Sequence, residues 1–201
     1  MTLHTSYTLD RDGCVVSVGG QWSAFGRENG AENDCVQMVL GRPVADFVAG
    51  VDTQSFLNAV VFWCRCHQHA FRTQYRCDSP EIAREFAMTV TPVAGGHVRF
   101  DHNLTRAWSI PQRAAEPAFG QLPPLPRCSV CCKRLYRDRW YDVADLPAAL
   151  RSVKTEEYRV CEPCKRRTLQ DLAQSAGGAE TPIARPARRD DVPVGKLRAN
   201  G

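Results

Sequence analysis

Two short phrases constrain this chain most: Cys128-Ser129-Val130-Cys131 and Cys161-Glu162-Pro163-Cys164. Thiolates three positions apart grip one tetrahedral ion from a tight turn, and two such turns supply a closed four-thiolate site. Between them lie few large apolar residues: Leu135, Tyr136, Trp140, Tyr141, Leu146, Leu150 and Tyr158. That is too little to fold a unit unaided, so a metal is expected to supply much of its folding free energy. The spacing therefore predicts a structural Zn2+ held by Cys128, Cys131, Cys161 and Cys164, in a small zinc-ribbon or treble-clef-like module over residues 128–168. Cys132 creates a register ambiguity. Because Cys128 and Cys131 have the standard two-residue gap, Cys132 is expected outside the ligand set, as a buried and inert thiol. Two pairs outside any βαβ pattern argue against a redox Cys-x-x-Cys.

The chain has ten cysteines, a number that suits a secreted disulfide scaffold only if an export signal is present. The first residues show no basic region followed by an apolar run, and no stretch approaches the roughly 18 apolar residues of a membrane span. The expectation is a cytoplasmic chain with reduced thiols and no membrane association. Charge is uneven: residues 1–107 hold 9 Lys/Arg against 11 Asp/Glu, and residues 128–168 hold 10 against 6.

Pro111, Pro117, Pro123, Pro124 and Pro126 mark residues 108–127 as a linker, since proline removes backbone donors and fixes φ. Residues 169–201 read as a mostly disordered tail, with apolar periodicity giving way to Gly, Ala, Pro and mixed charge from about Ser175 onward. Within residues 1–107, Ser6–Leu9 and Cys14–Val18 are β-prone runs around the turn Asp10-Arg11-Asp12-Gly13. Gln21–Asn29, Val44–Val48 and Thr53–His69 read as helical, with Asp52 or Thr53 as the N-cap of the longest. Phe71–Cys77, Glu85–Thr91 and His97–Leu104 read as strands. Two strands, several helices and three strands predict an α+β class: a five-stranded antiparallel sheet with its helices on one face.

That order is similar to the order of PAS domains, and several phrases carry the resemblance. Asp12-Gly13-Cys14-Val15-Val16-Ser17-Val18 followed by Trp22-Ser23-Ala24-Phe25-Gly26 resembles a PAS opening hairpin and first helix. Val39-Leu40-Gly41-Arg42-Pro43 leading into Val44–Val48 resembles the PAS segment with a Gly-Arg/Lys turn and short helix. Tyr75-Arg76-Cys77-Asp78-Ser79-Pro80 resembles a phrase of uncharacterised bacterial PAS-like proteins with a C-terminal Cys pair motif. The resemblance covers roughly residues 6–168. It implies a sensor domain over residues 1–107 and association through it, as a homodimer or with a protein partner.

A second constellation follows from the helix of residues 53–69. Phe56, Ala59, Val60, Trp63, Cys64 and His67 follow a core-facing stripe, so Cys64 and His67 are expected to point inward. His102 shares a strand face with Val98, Phe100 and Leu104. Together they suggest haem or another metal in the cavity, against which stands the ordinary role of a core histidine. Flavin is a further possibility, but the light-sensing subclass of PAS domains carries a cysteine after the Gly-Arg turn, and Gly41-Arg42-Pro43-Val44 has none. Lys133-Arg134 and Lys165-Arg166-Arg167 permit a nucleic-acid-associated zinc regulator, diluted by Asp138, Asp142, Asp145, Glu156 and Glu157. The sequence carries no nucleotide loop, Gly-x-Ser-x-Gly elbow or His-Glu-x-x-His helix. The expected function is a non-enzymatic sensory or signalling adaptor.

Overall fold

A computed structural model of the chain describes residues 3–31, 35–79, 81–110, 123–151, 153, 155 and 157–177. Most of the proline-rich segment and the end of the expected tail, residues 111–122 and 178–201, lie outside them.

Strands β1 (His4–Leu9) and β2 (Val15–Gly20) form a hairpin. Its turn is built by Asp10, whose Oδ1 accepts the N–H groups of Asp12 and Cys14, both at 2.9 Å. Helix α1 (Trp22–Glu28), a short 3-10 turn (Val44–Phe47) and helix α2 (Val51–His67) follow. Strands β3 (Phe71–Arg76), β4 (Ile82–Val93) and β5 (His97–Ser109) complete an antiparallel sheet of order β2-β1-β5-β4-β3. The mixed α+β class and the five-stranded antiparallel sheet are thus as the sequence predicts. Both β4 and β5 run longer than the alternation alone indicates.

Alternation places Met88 and Val90 of β4 and Val98 and Phe100 of β5 in a core with Leu9, Val15, Val18 and Phe71. Val60, Val61 and Cys64 of α2 cover it. This stripe is rotated from the expected one: Val61 is buried, whereas Ala59 and His67 are exposed. Bulk decides the rotation, since burying Val61 removes more apolar surface from water than burying Ala59. The cap of α2 is also a correction. Gly50 holds the N-cap position with no side-chain cap, and Asp52 and Thr53 make longer-range contacts instead.

The remaining described chain forms a second sheet. Strands β6 (Arg127–Cys128), β7 (Arg134–Tyr136), β8 (Arg139–Tyr141) and, after the short helix α3 (Ala148–Arg151), β9 (Tyr158–Arg159) lie in the order β8-β7-β6-β9. Arg137 and Asp138 both adopt positive φ, 47° and 63°, as a two-residue hairpin loop with the strand twist requires. Leu125, Leu146 and Leu150 form a small core beneath. Helix α4 (Glu162–Gly177) ends the described chain, nine residues past the boundary at 168. It persists because Leu172 packs on the main core and Asp171 accepts the Thr73 hydroxyl at 2.8 Å. No helix among the described residues is long and apolar enough to cross a membrane.

Candidate metal centre

The two cysteine pairs meet because β6 and β9 pair in parallel, with Arg127 opposite Tyr158 and Cys128 opposite Arg159. Each strand delivers the first cysteine of a pair to the same end of the small sheet. Beyond β6 the chain turns back at once, with the Cys132 N–H donating to the Cys128 carbonyl at 2.9 Å and the Cys128 N–H to the Lys133 carbonyl at 2.8 Å. Beyond β9, Cys161 immediately precedes α4 and Cys164 lies in its first turn, where Pro163 costs no helical hydrogen bond. The unpaired amides of a helix N-terminus favour thiolate there.

The four ligand atoms lie within 4.8 Å of one another. Cys131 Sγ and Cys161 Sγ are 3.7 Å apart; four sulfurs at ~2.3 Å from one tetrahedral ion are separated by about 3.8 Å. The donor set therefore fits a tetrahedral ion such as zinc. Cys128, Cys161 and Cys164 are buried and Cys131 is half-buried. Cys128, hydrogen-bonded by Cys131 and then Cys164, is held far below the usual thiol range, while its bonds to them push Cys131 up to about 12 and raise Cys164. The Cys161 N–H also reaches Cys128 Sγ at 3.4 Å.

Cys132 stands outside this group. Its backbone adopts φ 60°, a left-handed conformation that turns its side chain away from the pair. The thiol is buried, donates to the Arg76 carbonyl at 3.2 Å and accepts from Arg127 Nη2 at 3.0 Å.

The cluster is seated against the five-stranded sheet through contacts the sequence did not reveal. Backbone groups on the outer edge of β3 are taken up by it: the Arg76 N–H donates to the Val130 carbonyl at 2.7 Å, and Arg167 donates to the Gln74 carbonyl at 2.7 Å. Covering an edge strand removes a template for unwanted pairing. Arg76 also bridges Asp78 and Asp142, each at 2.6 Å. Burial alone would lower its pKa, but those carboxylates outweigh burial and raise it. At the start of α2, Thr53 Oγ1 bonds Ser129 Oγ, and Asp52 Oδ2 accepts the Val160 N–H at 3.2 Å. Only the phrase around Arg76 signalled any of this in the sequence.

Cys64, His67 and His102 are not brought together, which corrects the expected cavity constellation. Cys64 is buried and donates to the Val90 carbonyl at 3.6 Å, and burial pushes its thiol up to about 11. His67 is exposed at the end of α2, bonded to the Trp63 carbonyl and stacked on that indole. His102 faces the sheet interior, 3.0 Å from the Tyr75 hydroxyl and stacked on Tyr7, with burial holding its pKa down to about 4. The rotation that buries Val61 is what leaves His67 in water.

The basic residues are partly spent on internal contacts. Lys165 pairs with Asp52 at 3.5 Å, Arg134 donates to the Val153 carbonyl at 2.5 Å, and Arg167 is committed to β3. No protein-family model matches the chain, and neither a curated protein nor a solved structure shows a match to it.

Proposed function

We propose that this chain is a non-enzymatic sensory adaptor in which residues 1–107 form a PAS-like, ligand-sensing unit and Cys128, Cys131, Cys161 and Cys164 hold a structural zinc ion. The observation that carries the reading is the convergence of four sulfurs within 4.8 Å on a scaffold tied to β3 and to the start of α2. Support for the PAS-like assignment is the succession of two strands, helices and three strands, with the helices packed on one antiparallel sheet. The second unit joins a cysteine turn, a hairpin and a cysteine pair at a helix start, which supports a treble-clef-like module. A structural ion there would hold the small sheet against β3, so that a change in the sensing unit reaches the surface of the cysteine module. Output then passes through protein contact, with a second copy or a partner engaging the PAS-like unit in the cytoplasm.

Metal analysis of protein purified without chelator tests the core of this reading. One zinc per chain is expected for the native protein and for Cys132→Ser, and none for Cys161→Ser. A metal-free native protein overturns it. Light scattering is expected to show a species larger than a monomer.

A further inference from the structure

Arg84 is a buried cation with an unpartnered nitrogen. Its side chain follows Phe86, Met88 and Val90 along the inward face of β4, and the residue is only 9% exposed. Nη1 is fully shielded from solvent and has no hydrogen-bond partner. Among the described residues its guanidinium makes no ion pair. Asp78 accepts the Arg84 backbone N–H at 3.2 Å, but its carboxylate is engaged by Arg76 Nη2 and Nε at 2.6 and 3.3 Å. The Arg84 guanidinium lies near a ring, its Cζ 5.9 Å from the Phe25 centroid. A guanidinium nitrogen shut away from water with no acceptor is costly, and a bound anion removes that cost.

The surroundings of Arg84 state what kind of anion. Phe25 meets Phe86 edge-on at 6.0 Å, Phe86 stacks on Tyr75 at 5.4 Å, and Tyr75 meets His102 at 5.6 Å. His102 stacks on Tyr7 at 5.6 Å, and Tyr7 meets Trp22 at 6.1 Å. Trp22 and Phe25 lie three apart on α1, so the rings form a closed circuit between that helix and the sheet, with the guanidinium on its margin. The helix closing the circuit is lightly held: it has seven residues, none of them buried, and no side-chain cap. Such a segment opens at low cost.

We propose that the interval between α1 and the sheet binds a planar aromatic monocarboxylate, its carboxylate on the Arg84 guanidinium and its ring among Phe25, Phe86 and Tyr75. This deepens the ligand-sensing reading above and rests on it. A carboxylate matches the guanidinium fork in shape and cancels its single charge, whereas a dianion would leave one charge buried and unpaired. Aromatic walls favour a flat ring over an aliphatic chain through offset or edge contacts.

Calorimetric titration of the full zinc-loaded chain with benzoate, benzamide and acetate tests this, alongside Arg84→Met. Saturable benzoate binding is expected, weakened by about tenfold or more in Arg84→Met, as loss of a charge-assisted hydrogen bond implies. Benzamide and acetate should bind at least about tenfold more weakly than benzoate to the native chain, each lacking one half of the recognition. In buffer free of carboxylates, Arg84→Met should melt at the same temperature as the native chain or higher. The proposal is overturned by absence of saturable benzoate binding, by equal affinity for acetate, by benzoate affinity unchanged in Arg84→Met, or by a lower melting temperature for that variant. Zinc content measured on the same samples separates such a failure from failure of the metal-centre reading.

Discussion

Asp52 Oδ2 accepts the backbone N–H of Val160 at 3.2 Å, across 108 residues of sequence. An acid in the first turn of α2 thereby holds the residue that precedes Cys161, and Lys165 of α4 closes on the same oxygen at 3.5 Å. The start of one helix and the entry to the second cysteine pair form one joint.

Asp52→Ala should therefore loosen the cysteine module without touching a ligand. Loss of a partner for the amide of the buried Val160 is expected to cost about 1–2 kcal/mol, seen in urea denaturation and as faster zinc transfer to a chelator. Lys165→Ala removes only an exposed ion pair and should cost less than about 0.5 kcal/mol. Equal effects of the two variants would place the contribution in the ion pair and not in the backbone bond.

Gly50 and Gly41 separate two costs. Both have positive φ, 86° and 74°. A Cβ at Gly41 meets open space, so Gly41→Ala should cost only the left-handed strain of about 1–2 kcal/mol. A Cβ at Gly50 would press into the Tyr158 carbonyl and lie 2.9 Å from the Tyr158 Cβ. Gly50→Ala should thus cost clearly more than Gly41→Ala and also raise protease sensitivity of the cysteine module, because β9 must retreat. Matching denaturation midpoints for the two variants would refute the close approach.

The positive φ of Cys132 makes its backbone, not its thiol, the important property. Cys132→Gly should keep zinc affinity close to native. Cys132→Val places a β-branched side chain in a left-handed conformation, at about 1–3 kcal/mol, and should weaken zinc retention in chelator competition by about tenfold or more, since 1.4 kcal/mol is a factor of ten. Loss of metal in the glycine variant would instead make the sulfur a ligand.

His102 gives the chain a defined response to acid. Burial holds it down to about 4, from 6.5 in the free side chain. Between those values the unfolded chain binds the extra proton and the folded one does not, so stability rises with pH across that window and is lost as pH falls from about 6.5 toward about 4. The loss is on the order of 1–3 kcal/mol. His102→Phe keeps a ring against Tyr7 and should flatten this part of the pH profile of urea midpoints. An identical slope in both proteins would assign the acid response to other groups, such as the cysteine thiols.

Elements whose signals are local were legible in the sequence. The cysteine spacing marked a four-thiolate group because ligand geometry acts over three residues, and period-two alternation marked β4 and β5 because a pleat acts over two. The α+β class and the order of strands and helices along residues 4–109 followed from the same local rules. Tertiary structure decided what those rules leave open. Val61 displaced Ala59 from the core because the sheet selects the larger apolar face, and that rotation left His67 in water while His102, set by the pleat, faced inward. Helix α4 continues past residue 168 because Leu172 and Asp171 find partners on β3 and its core, which no periodicity within the segment announces. Asp52, Gly50 and Arg76 acquire their roles only when the cysteine module lies against the sheet, since a hydrogen bond across 108 residues depends on packing and not on neighbours in the chain.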